Sequence, residues 1–183
     1  MKIGVLALQG AVAEHIKMIT KAGAEGIVVK QPEQLAELDG IIIPGGESTT
    51  IGKLMRTYQF IEPLQQFSKV GKPIYGTCAG LIILANEIIG QTEGYLNVMN
   101  MTTARNAFGR QRESFETDLD VKGLSEPLRA VFIRAPLIEE VGSDVDVLST
   151  YDGQIVAARQ GHLLATSFHP ELTDDERMHA YFI

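Results

Sequence analysis

Cys78 is the only cysteine in the 183 residues, and it stands at the centre of Gly76-Thr77-Cys78-Ala79-Gly80. Residues 73–75 before it read as a short buried strand, and residues 81–85 after it as the start of a buried helix. A sharp strand-to-helix turn of this kind lifts one side chain above the edge of a sheet. Glycines on both sides permit strained backbone angles and close approach of neighbouring chain. The helix that follows points its unpaired N–H groups and positive dipole end at the sulfur. Thiols at such positions ionise more readily than the free value of about 8.5, and the thiolate is the attacking species. A small buried hydrophobe is the bland alternative, since free cysteines are often buried. The glycine-flanked junction favours a nucleophile.

A cysteine nucleophile needs a base, and the base needs an orienting group. The histidines are His15, His162, His169 and His179. His15 falls in the first expected helix and His179 in the last, where solvent exposure is the default. His162 follows Gly161 at an expected strand start. His169 comes just after an apolar strand, within Ser167-Phe168-His169-Pro170-Glu171. In extended backbone, residues two apart point the same way, so Glu171 is placed to accept from one imidazole nitrogen while the other faces Cys78. A structural histidine is the ordinary reading of a strand end; the acid at the matching offset reverses it.

Acyl transfer also needs donors for a developing oxyanion. The N–H of Ala79, directly after the nucleophile, is one. Pro44-Gly45-Gly46, after a buried strand, offers a second from Gly46; an ordinary turn is the alternative. It is not a phosphate loop, because Glu47-Ser48 follows where Gly-Lys-Ser/Thr is required. Gln9-Gly10 lacks the dinucleotide fingerprint, and no metal-ligand spacing stands out. Asn106-Ala107-Phe108-Gly109-Arg110-Gln111, with Arg105 before it, is either a recognition loop or a solvated one.

These groups need a sheet to carry them. Continuous apolar runs at residues 3–8, 26–29 and 41–43 read as parallel strands covered on both faces. Helical patterns at 11–22, 32–38, from 49 or 50 onward and at 60–70 alternate with them, which implies helices on both faces of a parallel sheet. After Gly90 the pattern changes. Residues 95–103, 114–121, 131–133, 145–148, 154–158 and 163–167 read as strands in quick succession, with Asp152-Gly153 a hairpin turn. The fold class is therefore α/β with three layers: a mostly parallel central sheet, helices on both faces, and antiparallel strands added in the second half. Residues 1–183 read as one domain. Thr173 and Glu176 fit a capping box for a last helix of little more than two turns, which would be marginal in isolation.

Composition sets limits. The formal net charge of −7 supplies no basic surplus for a nucleic-acid partner. A lone cysteine forms no intrachain disulfide and fits a reducing compartment. No apolar run approaches the ~20 residues that span a bilayer, and the first apolar run is too short for a signal-peptide core. The expectation is a cytoplasmic protein with no membrane partner.

Taken together, these residues resemble the class I, triad-type glutamine amidotransferases, whose fold is flavodoxin-like. Gly4-Val5-Leu6-Ala7-Leu8-Gln9-Gly10-Ala11, Pro44-Gly45-Gly46-Glu47-Ser48, Arg105-Asn106-x-Phe108-Gly109-Arg110-Gln111, Phe132-Ile133-Arg134-Ala135-Pro136 and Phe168-His169-Pro170-Glu171-Leu172 narrow the likeness. They are similar to the glutaminase-subunit family of pyridoxal 5′-phosphate synthases, from Ile3 to about Leu172. The resemblance implies that Cys78 attacks the side-chain amide of L-glutamine, His169 relays protons and Glu171 orients His169. It implies a glutamine site of Gly46, Glu47, Ser48, Arg105, Ile133 and Arg134, with Gly46 and Ala79 at the oxyanion. Which arginine takes the α-carboxylate, and which residues act through backbone alone, stays open. It further implies no cofactor, ammonia delivery to a synthase subunit, activity that depends on docking, and assemblies of twelve subunits of each kind. Gln9, Glu14 and His15 are the expected docking residues. A γ-glutamyl peptidase on a related fold, and a regulatory subunit with a vestigial site, are the competing readings.

Overall fold

The computed structural model describes residues 1–108 and 113–183. Residues 109–112 lie outside it, and with them part of the expected recognition loop. Five strands form the parallel heart of a ten-stranded sheet: β1 (Lys2–Leu6), β2 (Glu25–Val29), β3 (Gly40–Ile43), β4 (Ile74–Thr77) and β12 (Leu163–Thr166), in the order β2-β1-β3-β4-β12. The second half extends it through β11 (Gln154–Gln160), β9 (Leu137–Val141), β6 (Met99–Ala104) and β5 (Ala85–Ile88), with β10 (Asp146–Tyr151) paired to β11. The pairings β12-β11, β11-β9, β9-β6 and β10-β11 are antiparallel, while β5-β6 is parallel.

In the parallel heart, side chains alternate across the sheet, as a period of two requires. Ile41 and Ile43 enter one core while Ile42 enters the other; Ile74 and Tyr75 divide the same way, as do Leu163 and Leu164. The first core is covered by α2 (Ser48–Thr57), α3 (Ile61–Lys69) and α4 (Ala79–Leu84). The second is covered by α1 (Val12–Lys21), α5 (Arg177–Phe182) and a separate hairpin of β7 (Ser114–Leu119) and β8 (Leu128–Ile133). The three-layer expectation therefore holds with one change. The segments expected as strands at 114–121 and 131–133 do not join the central sheet. Phe115 and Phe132, directly opposed on β7 and β8, stack at 4.7 Å and lie over the sheet beside Phe168 and Tyr151. The hairpin thus uses its aromatic face as the third layer.

The Asp152-Gly153 turn forms as expected, both residues at positive φ between β10 and β11. The capping box does not. Thr173 Oγ1 donates to the carbonyl of Pro170, and the first N–H of α5, from Arg177, goes to Asp175 Oδ1 at 3.0 Å. Arg177 then clamps the helix start to the carbonyls of Glu126 and Pro127. Packing of Met178 and His179, both fully buried, holds this short helix in place.

Candidate active site

Cys78 sits at φ 52° and ψ −110°, between the end of β4 and the start of α4. Its N–H donates to the carbonyl of Thr166 at 2.8 Å, and its carbonyl accepts from Leu81 at 3.0 Å, so the sheet and the helix fix it from both sides. The strain lies on the cysteine itself, as in a nucleophile elbow. Gly76 and Gly80 serve close approach instead. A Cβ on Gly76 would collide with the carbonyl of Gly80, and one on Gly80 with the carbonyl of Ile43. Both glycines let α4 press against β3 and β4 directly behind Cys78.

His169 follows β12, and its N–H is held by the carbonyl of Val131 at 2.8 Å. Its Nδ1 lies 2.7 Å from Oε1 of Glu171. The offset predicted this contact, but the backbone achieves it differently. Pro170–Leu172 is a 3-10 turn rather than extended chain, and it folds the buried carboxylate back under the imidazole. Burial disfavours charge on His169, yet the Cys78 sulfur and the Glu171 carboxylate outweigh it and raise its pKa to about 10. Burial likewise works against the Glu171 carboxylate, but the His169 hydrogen bond and the nearby His15 hold its pKa below the ordinary range. With Nδ1–H given to Glu171, Nε2 is left for the cysteine side.

A cavity of about 650 Å³ opens above Cys78. Gly46, Glu47, Ser48, Ala79, Arg105, Ile133, Arg134 and His169 all line it, so the structure gathers every predicted site residue around the sulfur; Glu171 stands behind His169. Gly46 has φ 147°, and a Cβ on Gly45 would press on the His169 ring, so the 45–46 turn runs tight along Cys78 and His169. Ser48 opens α2 at the cavity wall. The carbonyl of Ile133 is 3.8 Å from the sulfur, which marks Ile133 as a backbone contributor. Arg134, at φ 46°, donates its N–H to the carbonyl of Glu113 at 2.6 Å, an anchor that turns the chain at the cavity. Two arginines, Arg105 and Arg134, and one acidic residue, Glu47, thus line a pocket in the size range of small-molecule sites.

Residues not singled out for the site also line it: Ile82 and Pro136. Pro136 closes the Phe-Ile-Arg-Ala-Pro block, so its position in the sequence was informative. Gln9, an expected docking residue, lines the cavity, and its Oε1 accepts the Glu47 N–H at 2.6 Å. His162 stands apart, bonded to Ser68 Oγ at 3.2 Å. The exposure expected of His15 and His179 is wrong, and so is His15 as a docking residue. Both are completely buried, because α1 and α5 pack against each other behind the triad. Among the described residues no group of His, Cys, Asp and Glu could hold a metal ion. Nor is any helix there long and apolar enough to cross a membrane.

A model of the SNO glutamine amidotransferase family matches residues 5–183. The chain belongs to this family. Family relatives named pyridoxal 5′-phosphate synthase subunit PdxT include one from Niallia circulans, 73% identical over all 183 residues and 96% of that relative. Another, from Shouchella clausii, is 61% identical over the whole chain and 94% of its own length. A crystal structure of a glutamine amidotransferase superposes with a TM-score of 0.94 at 48% identity, covering 98% of this chain and 96% of the other. PurLQS from Thermotoga maritima, at 18% identity and a TM-score of 0.69 over 97% of this chain and 90% of that one, shares the fold. The same α/β fold is thus found in close and remote neighbours.

Proposed function

We propose that the chain hydrolyses L-glutamine to L-glutamate and ammonia through a Cys78 thioester, and passes the ammonia to a synthase subunit that makes pyridoxal 5′-phosphate. The observation that carries this reading is the row Cys78, His169, Glu171 at a strained elbow: a 2.7 Å imidazole–carboxylate bond buried behind a thiol that faces an open cavity. Membership of the SNO glutamine amidotransferase family and near-full-length identity to PdxT subunits support it.

The geometry supports the following chemistry. The Cys78 thiol passes its proton to His169 Nε2 as the sulfur adds to the side-chain amide carbon, and the oxygen takes the electron pair. The N–H groups of Ala79 and Gly46 stabilise that oxyanion. His169 gives a proton to the leaving nitrogen, the C–N bond breaks, and ammonia departs from a thioester. His169 then accepts a proton from water as it attacks the thioester carbon; sulfur leaves, the proton returns, and glutamate is free. Glu171 keeps the ring in the tautomer that both steps need. The guanidinium groups of Arg105 and Arg134 suit the α-carboxylate; Glu47 suits the α-ammonium group, and Ser48 and the Ile133 carbonyl complete the pocket.

We further propose that residues 1–183 act as one glutamine amidotransferase domain, that the protein works in the cytoplasm, and that it assembles with the synthase subunit twelve to twelve. One continuous sheet flanked by two cores supports the first point; the family resemblance supports the others.

The test is ammonia release from L-glutamine and from γ-glutamyl peptides, with and without a purified synthase subunit. Glutamine turnover that rises on adding the partner is expected. Preference for the peptides would make the protein a γ-glutamyl hydrolase, and inertness toward both, even in complex, would make the site vestigial.

A further inference from the structure

Glu171 has a second oxygen, and the triad leaves it unused. Oε2 is buried and has no hydrogen-bond partner; His15 Nε2 stands 3.5 Å away, an electrostatic contact. The same His15 nitrogen is 3.3 Å from Thr77 Oγ1, on the residue just before the nucleophile. On the other edge of the ring, His15 Nδ1 lies 2.8 Å from His179 Nε2. Both imidazoles are fully shielded from solvent. A row of side chains therefore runs inward from the cavity: Cys78, His169, Glu171, His15, His179.

The direction of the hydrogens in that row can be worked out. A carboxylate accepts only, and a neutral imidazole has one donor and one acceptor nitrogen. A lone pair on His15 Nε2 aimed at Glu171 would be repelled, so Nε2 carries the hydrogen. Nδ1 must then accept, and His179 Nε2 donates to it. That leaves His179 Nδ1 as a bare acceptor, and it is indeed the buried ring nitrogen without a partner. Burial keeps both rings neutral; His15 is lowered chiefly by desolvation, and His179 falls to about 3 for the same reason.

We propose that His15, oriented by His179, is a positioning residue for the glutaminase reaction: its Nε2–H, 3.5 Å from the far oxygen of Glu171, attracts that oxygen electrostatically, so that the near oxygen fixes the His169 ring. This rests on the glutaminase reading above, and it adds a fourth and fifth residue, from the first and last helices, to the three that react. His15 is faced by His179 from α5, Thr77 from β4, Glu171 from the 3-10 turn, and by charge from Glu14 and His169. Glu171, which bonds His169, and Thr77, which precedes Cys78, are the two links between it and the chemistry.

Two measurements decide it. In wild-type protein, ¹⁵N-histidine NMR should show His15 as neutral with its hydrogen on Nε2. A hydrogen on Nδ1, or an imidazolium near neutral pH, overturns the proposal whatever the enzyme's activity. In the complex with the synthase subunit, His15→Leu should lower kcat for glutamine roughly ten- to a hundredfold, the scale of a small misplacement of a catalytic group, and change KM less than about threefold. His15→Gln, whose amide N–H can reach the Nε2 position, should restore most of the loss. Equal kcat in wild type and His15→Leu, or no recovery in His15→Gln, contradicts it. Should His15→Leu fail to fold, His15→Gln and the wild-type tautomer still give the answer. A wild-type complex without glutaminase activity would sink the functional reading, while the tautomer would still test the row.

Discussion

Replacing Cys78 with alanine or glycine separates its chemistry from its strain. A Cβ at φ 52° and ψ −110° costs of order 1–3 kcal/mol, which glycine does not incur. Both variants should lose ammonia release with the partner present, and urea denaturation should find Cys78→Gly more stable than Cys78→Ala by about 1 kcal/mol. Glu171→Gln should lower kcat by roughly 10²–10⁴-fold, because His169 loses both its tautomer lock and the carboxylate that keeps its pKa high. At this scale the triad was legible, since an elbow cysteine and a His-x-Glu spacing carry their own chemistry. The burial of His15 was harder to see. It lies three residues after Val12 and four before Ile19, on the apolar stripe of α1, yet polarity argued for the surface. Only the fold reveals that α5 supplies His179 as its partner.

At the level of elements, the tight seam between β3, β4 and α4 holds the elbow. Gly80→Ala would push a methyl group into the carbonyl of Ile43. Because that contact is backbone, neither side can yield cheaply. A thermal melt should show a loss of several degrees, and glutaminase activity should fall even at temperatures where the variant stays folded. Unchanged stability would mean that the seam is looser than drawn. Strands with uniform apolar runs and glycine or proline boundaries were readable in advance, as β1, β3 and β4 show. β5 and β9 were not. Ala85–Ile88 leaves α4 with no turn residue to announce it, and its two central residues are exposed; Leu137–Val141 places Glu139 and Glu140 side by side and breaks alternation. The parting of β7 and β8 from the main sheet depends on aromatic stacking among residues far apart in the chain, which no local pattern encodes.

The molecule as a whole buries a titratable row between its first and last helices, and that couples its stability to pH. His179 has a folded pKa of about 3 against 6.5 unfolded. A lowered histidine contributes stability that is complete above the unfolded value and is lost as pH falls below 6.5 toward 3, by up to about 5 kcal/mol for the full shift. Glu171, also lowered, loses its contribution over the acid range below the usual carboxylate value. His169 acts in the opposite sense: raised to about 10, it stabilises below pH 6.5, and that share fades between 6.5 and 10. Denaturation midpoints should therefore decline on both sides, and more steeply on the acid side, where Glu171 and His15 add to His179. His179→Phe, if it folds, should flatten the acid limb.

The most direct test is to mix the synthase-bound protein with L-glutamine, quench in acid within the first turnovers, and map the covalent adduct by peptide mass spectrometry. A glutamyl thioester confined to the peptide bearing Cys78, and absent from Cys78→Ala, is the expected result. Ammonia released at an undiminished rate by Cys78→Ala, with no adduct on the wild-type sulfur, would contradict the mechanism at its first step.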